Sequence, residues 1–174
     1  MAKKYKHSIY SFPDVHAVLS RPNTAPFVLS GEGIGDFTVE KSRERSAYNL
    51  AADGCIMTSK MEGNDGYITI NCQQSSSLNK YLQSAFNALW IAETDDWCGM
   101  GIEINASKMG VKHVCTRGSF EKEADRSYQR EGQMVTWRIH FDDITTTDLN
   151  PVSSLTNPIS NLLSGMPTLP GVIA

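Results

Sequence analysis

The residue types best suited to covalent chemistry are His113 and Cys115, which lie two positions apart in the chain. On a β-strand, residues i and i+2 share one face, so the imidazole could act as base for the thiol. A thiol-dependent enzyme built on this pair is therefore one hypothesis. We favour the alternative that the pairing is incidental, because such spacings are common in strands and no substrate is indicated.

The other potential ligands and nucleophiles form no motif. No cysteine pair has CxxC spacing, and neither the four histidines nor the acidic pairs Asp95-Asp96 and Asp142-Asp143 follow a metal-ligand pattern. We predict no metal and no cofactor. The cysteines are interpreted as reduced thiols, with disulfides between subunits after release from the cell as the alternative. They are Cys55, Cys72, Cys98 and Cys115.

The glycines Gly31, Gly33 and Gly35 resemble a phosphate-binding loop only in composition. A dinucleotide fingerprint opens a helix, whereas here a strand-like Phe37-Thr38-Val39 follows. We therefore predict a chain corner and no nucleotide.

Length and charge exclude several classes of protein. The chain has 174 residues with sixteen Lys and Arg against nineteen Asp and Glu, a net charge of −3, the wrong sign for a general nucleic-acid binder. No apolar run approaches the ~20 residues that span a bilayer, and no signal-peptide core follows the basic start. The sequence favours a globular domain made in the cytoplasm, with no membrane partner.

Most of the chain reads as β-strand. We expect the strand that begins at Phe37 to have its return strand at residues 55–59. The next strand is expected to begin after a hairpin turn at Asn64-Asp65-Gly66. Further strands are predicted at 8–20, 27–29, 67–72, 100–106, 110–120 and 133–141.

One amphipathic helix is predicted at about 76–91, with serines 75–77 as candidate N-caps. Such a helix needs an apolar surface to cover, which here must be a sheet. Its apolar stripe is Leu78, Tyr81, Leu82, Ala85, Phe86, Leu89 and Trp90, and its polar face is Asn79, Lys80, Gln83, Ser84 and Asn87.

A long segment of mixed charge with an apolar centre lies at about 40–55. Loops of this length usually make contacts, and alternating charges suit a contact between two copies whose register must be set. A plain solvated hairpin is the alternative. The candidate contact residues are Glu40, Lys41, Arg43, Glu44, Arg45, Tyr48, Leu50 and Asp53.

From about Tyr10 to Phe141 the chain resembles the tail tube proteins of contractile-tailed bacteriophages, a group often described only as phage structural proteins. The resemblance rests on the order and spacing of several short segments. They are Tyr10-Ser11-Phe12 with Asp14-Val15, Ala51-Ala52-Asp53-Gly54, Gly66-Tyr67-Ile68-Thr69-Ile70, Leu78-Asn79-Lys80-Tyr81-Leu82, and Tyr128-Gln129-Arg130-Glu131-Gly132 leading into Val135-Thr136-Trp137-Arg138-Ile139.

The resemblance implies a mainly β fold, an antiparallel β-sandwich or barrel with one flanking helix, over a tail-tube-like domain at 1–148. It implies a non-enzymatic subunit that forms hexameric rings, and rings that stack through the loop at about 40–55 into a hollow tube inside a contractile sheath. The implied partners are other copies, the sheath, baseplate and tail-terminator proteins, and passing DNA that is not bound specifically. The implied location is the virion tail, assembled in the host cytoplasm.

Three further expectations accompany the resemblance. One polar strand face, including Glu103 and Asn105, is predicted to line the lumen, because a duct for DNA should not bind its cargo. Residues 149–174 are expected to form an extended C-terminal arm. The alternatives are a monomeric β-barrel that binds a ligand and the tube protein of a cellular contractile secretion system.

Overall fold

The computed structural model describes residues 10–29 and 33–149. These residues form nine strands and one α-helix. In chain order they are β1 (Val15–Ser20), β2 (Phe27–Leu29), β3 (Ile34–Lys41), β4 (Ser46–Leu50), β5 (Ile56–Lys60), β6 (Gly66–Gln73), α1 (Ser77–Ile91), β7 (Met100–Ala106), β8 (Val111–Phe120) and β9 (Met134–Asp148).

Seven strands form one antiparallel sheet in the order β2-β1-β7-β8-β9-β6-β3. The sheet curls into a half-barrel, so the predicted mainly β, antiparallel fold with one flanking helix is confirmed. Its two outer strands are β2 and β3. The strands β4 and β5 pair only with each other in the described part of the chain.

The core lies between the inner face of the curled sheet and α1. In β6, alternate residues are buried, from Gly66 through Ile68 and Ile70 to Cys72. Strand β9 contributes the fully buried Trp137. Period-two burial is expected of a sheet with one covered face. These buried strands and α1 belong to one hydrophobic cluster.

The helix α1 begins and ends as the apolar periodicity predicts. Ser76 is the N-cap, and its side chain accepts a hydrogen bond from the backbone N–H of Asn79 at 3.1 Å. Leu78, Leu82, Ala85 and Leu89 are buried against the sheet. Each buried leucine stabilises the packing by about 1.5–3 kcal/mol relative to an exposed one.

Two predictions about the faces of α1 are wrong. Asn79 is only 4% exposed, because its side chain bridges the helix and the sheet. Trp90 is 71% exposed although Leu89 in the same last turn is buried, because Trp90 lies at the edge of the apolar stripe, about 120° around the helix from Leu78.

The segment after β3 differs from the sequence prediction. Residues 56–60 pair with β4 and not with β3, whose antiparallel partner is β6. Gly66 is not in a hairpin turn. It lies at the start of β6, and only glycine fits there because a Cβ would clash with the Glu40 carbonyl oxygen and come within 2.7 Å of an Ile144 methyl.

The corner before β3 and the end of β9 can be compared with the sequence prediction. Gly33 has φ 83° just before β3, which fits the predicted corner, whereas Gly31 lies outside the described residues. Strand β9 extends seven residues beyond the predicted end at Phe141. Apart from Leu149, the predicted arm at 149–174 lies outside the described residues. In the described part, no helix has the length and apolar character needed to cross a membrane.

Candidate assembly surfaces

The hairpin β4–β5 projects from the sheet with one apolar face. The register Tyr48↔Thr58 and Leu50↔Ile56 places Tyr48, Leu50 and Ile56 on the same face, because side chains alternate along each strand. Their exposed fractions are 73%, 68% and 68%. We call these three residues the hairpin face. Isolated two-stranded hairpins are marginal in water, so a hairpin with an uncovered apolar face calls for a partner surface.

The base of the hairpin is fixed to the sheet. Arg43 pairs with Asp65 at 2.9 Å, and Arg45 donates a hydrogen bond to the side-chain oxygen of Asn64. The backbone N–H of Met61 donates to the carbonyl of Arg45 at 2.9 Å. Although burial opposes it, the Arg43 guanidinium holds the pKa of Asp65 below its ordinary value. These contacts set the direction in which the hairpin projects.

The turn of the hairpin is held by Asp53 and Gly54. The Asp53 carboxylate accepts a hydrogen bond from the backbone N–H of Cys55 at 3.0 Å, which lowers the pKa of Asp53. Gly54 has φ 87°, a conformation that favours glycine. Asp53 thus has a local role in shaping the turn.

The structure divides the predicted contact residues into four groups. Glu40 and Lys41 belong to β3, and Lys41 donates a hydrogen bond from Nζ to the Ile144 carbonyl. Burial, followed by the nearby Arg45, lowers the pKa of Lys41. Arg43, Glu44 and Arg45 connect β3 to the hairpin, Tyr48 and Leu50 lie on β4, and Asp53 lies in the turn.

A second surface is the outer face of the sheet, opposite the core. In β7, Ile102 and Ile104 are buried, whereas Glu103 is exposed and Asn105 half-buried, as the alternation predicts. The Asn105 side-chain oxygen has no hydrogen-bond partner in the described part of the chain. That this face lines a lumen stays a prediction.

Basic side chains on this outer face lie beside carboxylates. Lys112 pairs with Glu103 at 2.7 Å. Arg138 lies 3.2 Å from Glu121 and 3.8 Å from Glu40, and its guanidinium covers the ring of Tyr67 at 3.9 Å from the centroid. Cations paired in this way have less charge available for a phosphate backbone.

A third surface surrounds the end of α1. The ring centroid of Trp90 lies 6.2 Å from that of Phe86 and 5.9 Å from that of Trp97. Phe86 in turn packs edge-on against the buried Phe120 at 5.5 Å. Ile91 beside them is 84% exposed. We call Phe86, Trp90, Ile91 and Trp97 the tryptophan patch.

The geometry opposes a thiol nucleophile at Cys115. Burial raises the pKa of its thiol to about 12, which keeps the thiol protonated at neutral pH. The His113 ring nitrogen Nδ1 lies 3.0 Å from the Thr146 hydroxyl, its hydrogen-bond partner. Burial also lowers the pKa of His113. This pair therefore lacks the activation that thiol catalysis requires.

The cysteines separate by exposure. Within the described residues of one subunit all four are free thiols, with Cys72 and Cys115 buried and Cys55 and Cys98 exposed. Only the exposed pair is placed to react with another copy. The described residues contain no group of three or more potential metal ligands.

A curled antiparallel sheet with one helix on its inner face and a two-stranded hairpin that pairs with no other strand in the described residues defines a β-rich fold. Among solved structures, the chain is similar to a chain in the six-fold symmetrised baseplate of the anti-feeding prophage, with a TM-score of 0.56 at 10% identity. The match covers 83% of this chain and 99% of that one, and it shows the fold.

Two weaker likenesses accompany it. A chain of the sheath-tube complex of an extracellular contractile injection system matches with a TM-score of 0.46 at 8% identity, covering 79% of this chain and 90% of that one. A chain of the tube-terminating cap of the anti-feeding prophage matches with a TM-score of 0.45 at 10% identity, covering 85% and 96%. A sequence comparison with curated proteins gave no match.

The family model described as bacteriophage PhiTE tail tube protein matches residues 7–148. The chain belongs to this tail tube family. It is thus a structural tail tube protein and a component of the virion tail, which confirms the resemblance inferred from its sequence.

Sequence reasoning missed the tryptophan patch and one of the three residues of the hairpin face. Ile56 was assigned to a strand returning beside β3, although the alternation of Tyr48 and Leu50 before a short turn signals a separate hairpin. Periodicity places Trp90 in the buried stripe because it does not reveal which residue at the edge of a stripe stays in solvent.

Proposed function

We propose that this chain forms rings of six copies, and that the rings stack into a hollow tube inside a contractile sheath through which the genome is delivered. The observation that carries the proposal is the hairpin face, three large side chains that are each about two-thirds or more exposed. Covering each of them stabilises a contact by about 1.5–3 kcal/mol, so assembly has a clear driving force.

Two further features support assembly into rings. The sheet is open at β2 and β3, and strands of adjacent copies could continue it. The similar baseplate chain belongs to an assembly that was solved with six-fold symmetry. A closed ring of identical copies removes such edges from solvent.

The outer face of the sheet is proposed to line the channel. The pairing of Lys112 with Glu103 and of Arg138 with Glu121 supports passage of DNA without specific binding. We expect the sheath, baseplate and tail-terminator proteins to be the other partners, and we expect no catalysis. The tail-tube-like domain is proposed to cover 1–148, with residues 149–174 as an arm.

A monomeric ligand-binding barrel is the weaker alternative. Such a barrel requires an interior cavity, whereas here the inner side of the sheet is filled by Trp137, Phe141, Leu82 and their neighbours. The tube of a cellular contractile device remains a variant of the same proposal.

Electron microscopy and sedimentation of the purified full chain at increasing concentration test the proposal. We expect six-fold rings that convert to hollow rods as concentration rises. A strictly monomeric species at every concentration would overturn the proposal.

A further inference from the structure

The hairpin face and the tryptophan patch are apolar surfaces of one chain that do not cover each other within a subunit. All three side chains of the hairpin face remain exposed, and so do Trp90 and Ile91. Tyrosine and tryptophan are enriched among residues that dominate binding energy at interfaces. Each surface therefore has the composition of one half of a contact.

The patch is rigid enough to receive a partner. Trp90 is held against Phe86 with their ring planes 12° apart, and Phe86 reaches the core through Trp137 at 6.3 Å between centroids. Trp97 contacts both rings, at 5.9 Å from Trp90 and 6.0 Å from Phe86 between centroids. A surface fixed to the core in this way binds with little loss of conformational entropy.

One lysine on the side of the hairpin face is complementary in charge to the border of the patch. Glu93, Asp95 and Asp96 border the patch, are exposed and form no ion pair within the described residues. Lys60 lies on the same side of the hairpin as Ile56, about 13 Å further along β5. It is also exposed, and it forms no ion pair within the described residues. Opposite charges at the rim of an interface set orientation and speed association.

Another exposed apolar site lacks this match. The open groove beside Tyr10 and Met109 has its charges already neutralised by the pairing of Asp14 with Lys108 at 2.7 Å. It offers an arriving lysine no free carboxylate of its own.

We propose that the hairpin face of one copy binds the tryptophan patch of a copy in the next ring, with Lys60 beside the acidic border. The inference deepens the proposed function and depends on it. The contact joins two different surfaces and so repeats from copy to copy in an open series, as tube growth requires.

Native thiols report on this contact. Cys55 precedes Ile56 in the hairpin, and Cys98 follows Trp97 in the patch, and both are exposed. A short bismaleimide added to assembled full-length protein should join Cys55 of one copy to Cys98 of the next. Because every copy carries both thiols, denaturing gels should show a ladder of covalent multimers, which Cys55→Ser or Cys98→Ser alone should abolish.

The outcomes separate the two proposals. Tubes that give no ladder, or only dimers, overturn the hairpin-to-patch contact and leave the tube subunit standing. Absence of rings and tubes at any concentration overturns both. Tubes with a ladder that both serine variants remove support both.

A second pair of variants tests the patch without crosslinking. Trp90→Ser should raise the protein concentration needed for rod growth by at least about tenfold, while rings still form. Tyr128→Ser, at a residue 80% exposed and outside the patch, is the matched control and should leave rod growth unchanged. Equal behaviour of the two variants would overturn the assignment.

Discussion

The side chain of Asn79 joins α1 to the sheet through Trp137 and to the turn after β6 through Gln74. Its Oδ1 accepts from Trp137 Nε1 at 2.9 Å, and its Nδ2 donates to the Gln74 carbonyl at 2.8 Å. Because Trp137 is fully buried, removing the amide leaves its indole N–H unpaired in the core, and the half-buried Gln74 loses a second bond. The amide therefore fixes where the helix lies on the curled sheet.

We predict that Asn79→Leu lowers the free energy of unfolding by about 2–4 kcal/mol, since two hydrogen bonds are lost without replacement. Thermal unfolding followed by circular dichroism measures the change. Asn87→Ala on the exposed side of α1 is the control and should change stability by less than about 0.5 kcal/mol. Equal effects of the two substitutions would contradict the assigned role of Asn79.

Thiol reactivity is the second prediction at the residue scale. In the native protein, Cys55 and Cys98 should react with a maleimide at pH 7.5 within minutes, whereas Cys72 and Cys115 should react only after unfolding, because they are buried. Mass spectrometry of labelled peptides identifies the sites. Rapid labelling of Cys115 would show that the core is open and would revive the thiol-enzyme hypothesis.

The raised pKa of Cys115 predicts how stability varies with pH. Above about pH 9 the unfolded chain releases this proton, whereas the folded chain keeps it up to about pH 12, so rising pH favours the unfolded state. Chemical denaturation at pH 8 and pH 10 should therefore show lower stability at pH 10. Cys115→Ala should reduce this difference, and an unchanged difference would contradict the assignment.

At the scale of elements, the hairpin β4–β5 is the part most separable from the fold. Its ends are adjacent, because the N–H of Met61 donates to the Arg45 carbonyl at 2.9 Å. Residues 46–60 can therefore be replaced by a two-residue Asn-Gly turn, which suits antiparallel strands. The hairpin contributes no residue to the buried core.

We predict that this replacement preserves the melting temperature within about 3 °C but abolishes rod growth, since the fold keeps its core and loses its contact surface. Sedimentation and electron microscopy check both results. The matched control is Asn49→Ser with Ser59→Ala, which alters the opposite face of the same hairpin. Normal rods from the shortened chain would refute a stacking role for the hairpin.

Elements with strong local signals could be predicted from the sequence. The helix could be predicted because Ser76 is a good N-cap and the apolar residues after it recur with a period of 3.6 residues. On that helix Asn79 lies between Phe86 and Trp90 at about 100° per residue, which is the edge of the apolar stripe, although its polar side chain favours solvent. The hydrogen bond to Trp137 that explains its burial joins distant parts of the chain and is not contained in a local pattern. The pairing of β5 with β4 depended on contacts across the chain that a local pattern does not contain.

At the scale of the whole molecule, the predicted lumen face can be tested by adding charge. Thr145 and Thr147 of β9 are exposed on the outer face, where they lie opposite Val114 and Lys112 of β8. Thr145→Lys with Thr147→Lys should leave tubes intact but slow genome release, because unpaired lysines attract phosphate. Infectivity of particles with normal morphology measures the effect.

A control places the same charges elsewhere. Ser84→Lys with Asn87→Lys adds two lysines to the exposed side of α1, away from the proposed channel. These particles should release their genome normally. If they are the impaired ones, the orientation of the sheet is reversed and α1 faces the channel.

A cryo-electron microscopy reconstruction of tubes assembled from the full chain tests the central claim most directly. The predicted result is a stack of six-fold rings with Glu103 and Asn105 facing the channel and each β4–β5 hairpin in contact with a neighbouring ring. A particle in which the hairpins remain in solvent, with neighbouring rings joined through other surfaces, would contradict it.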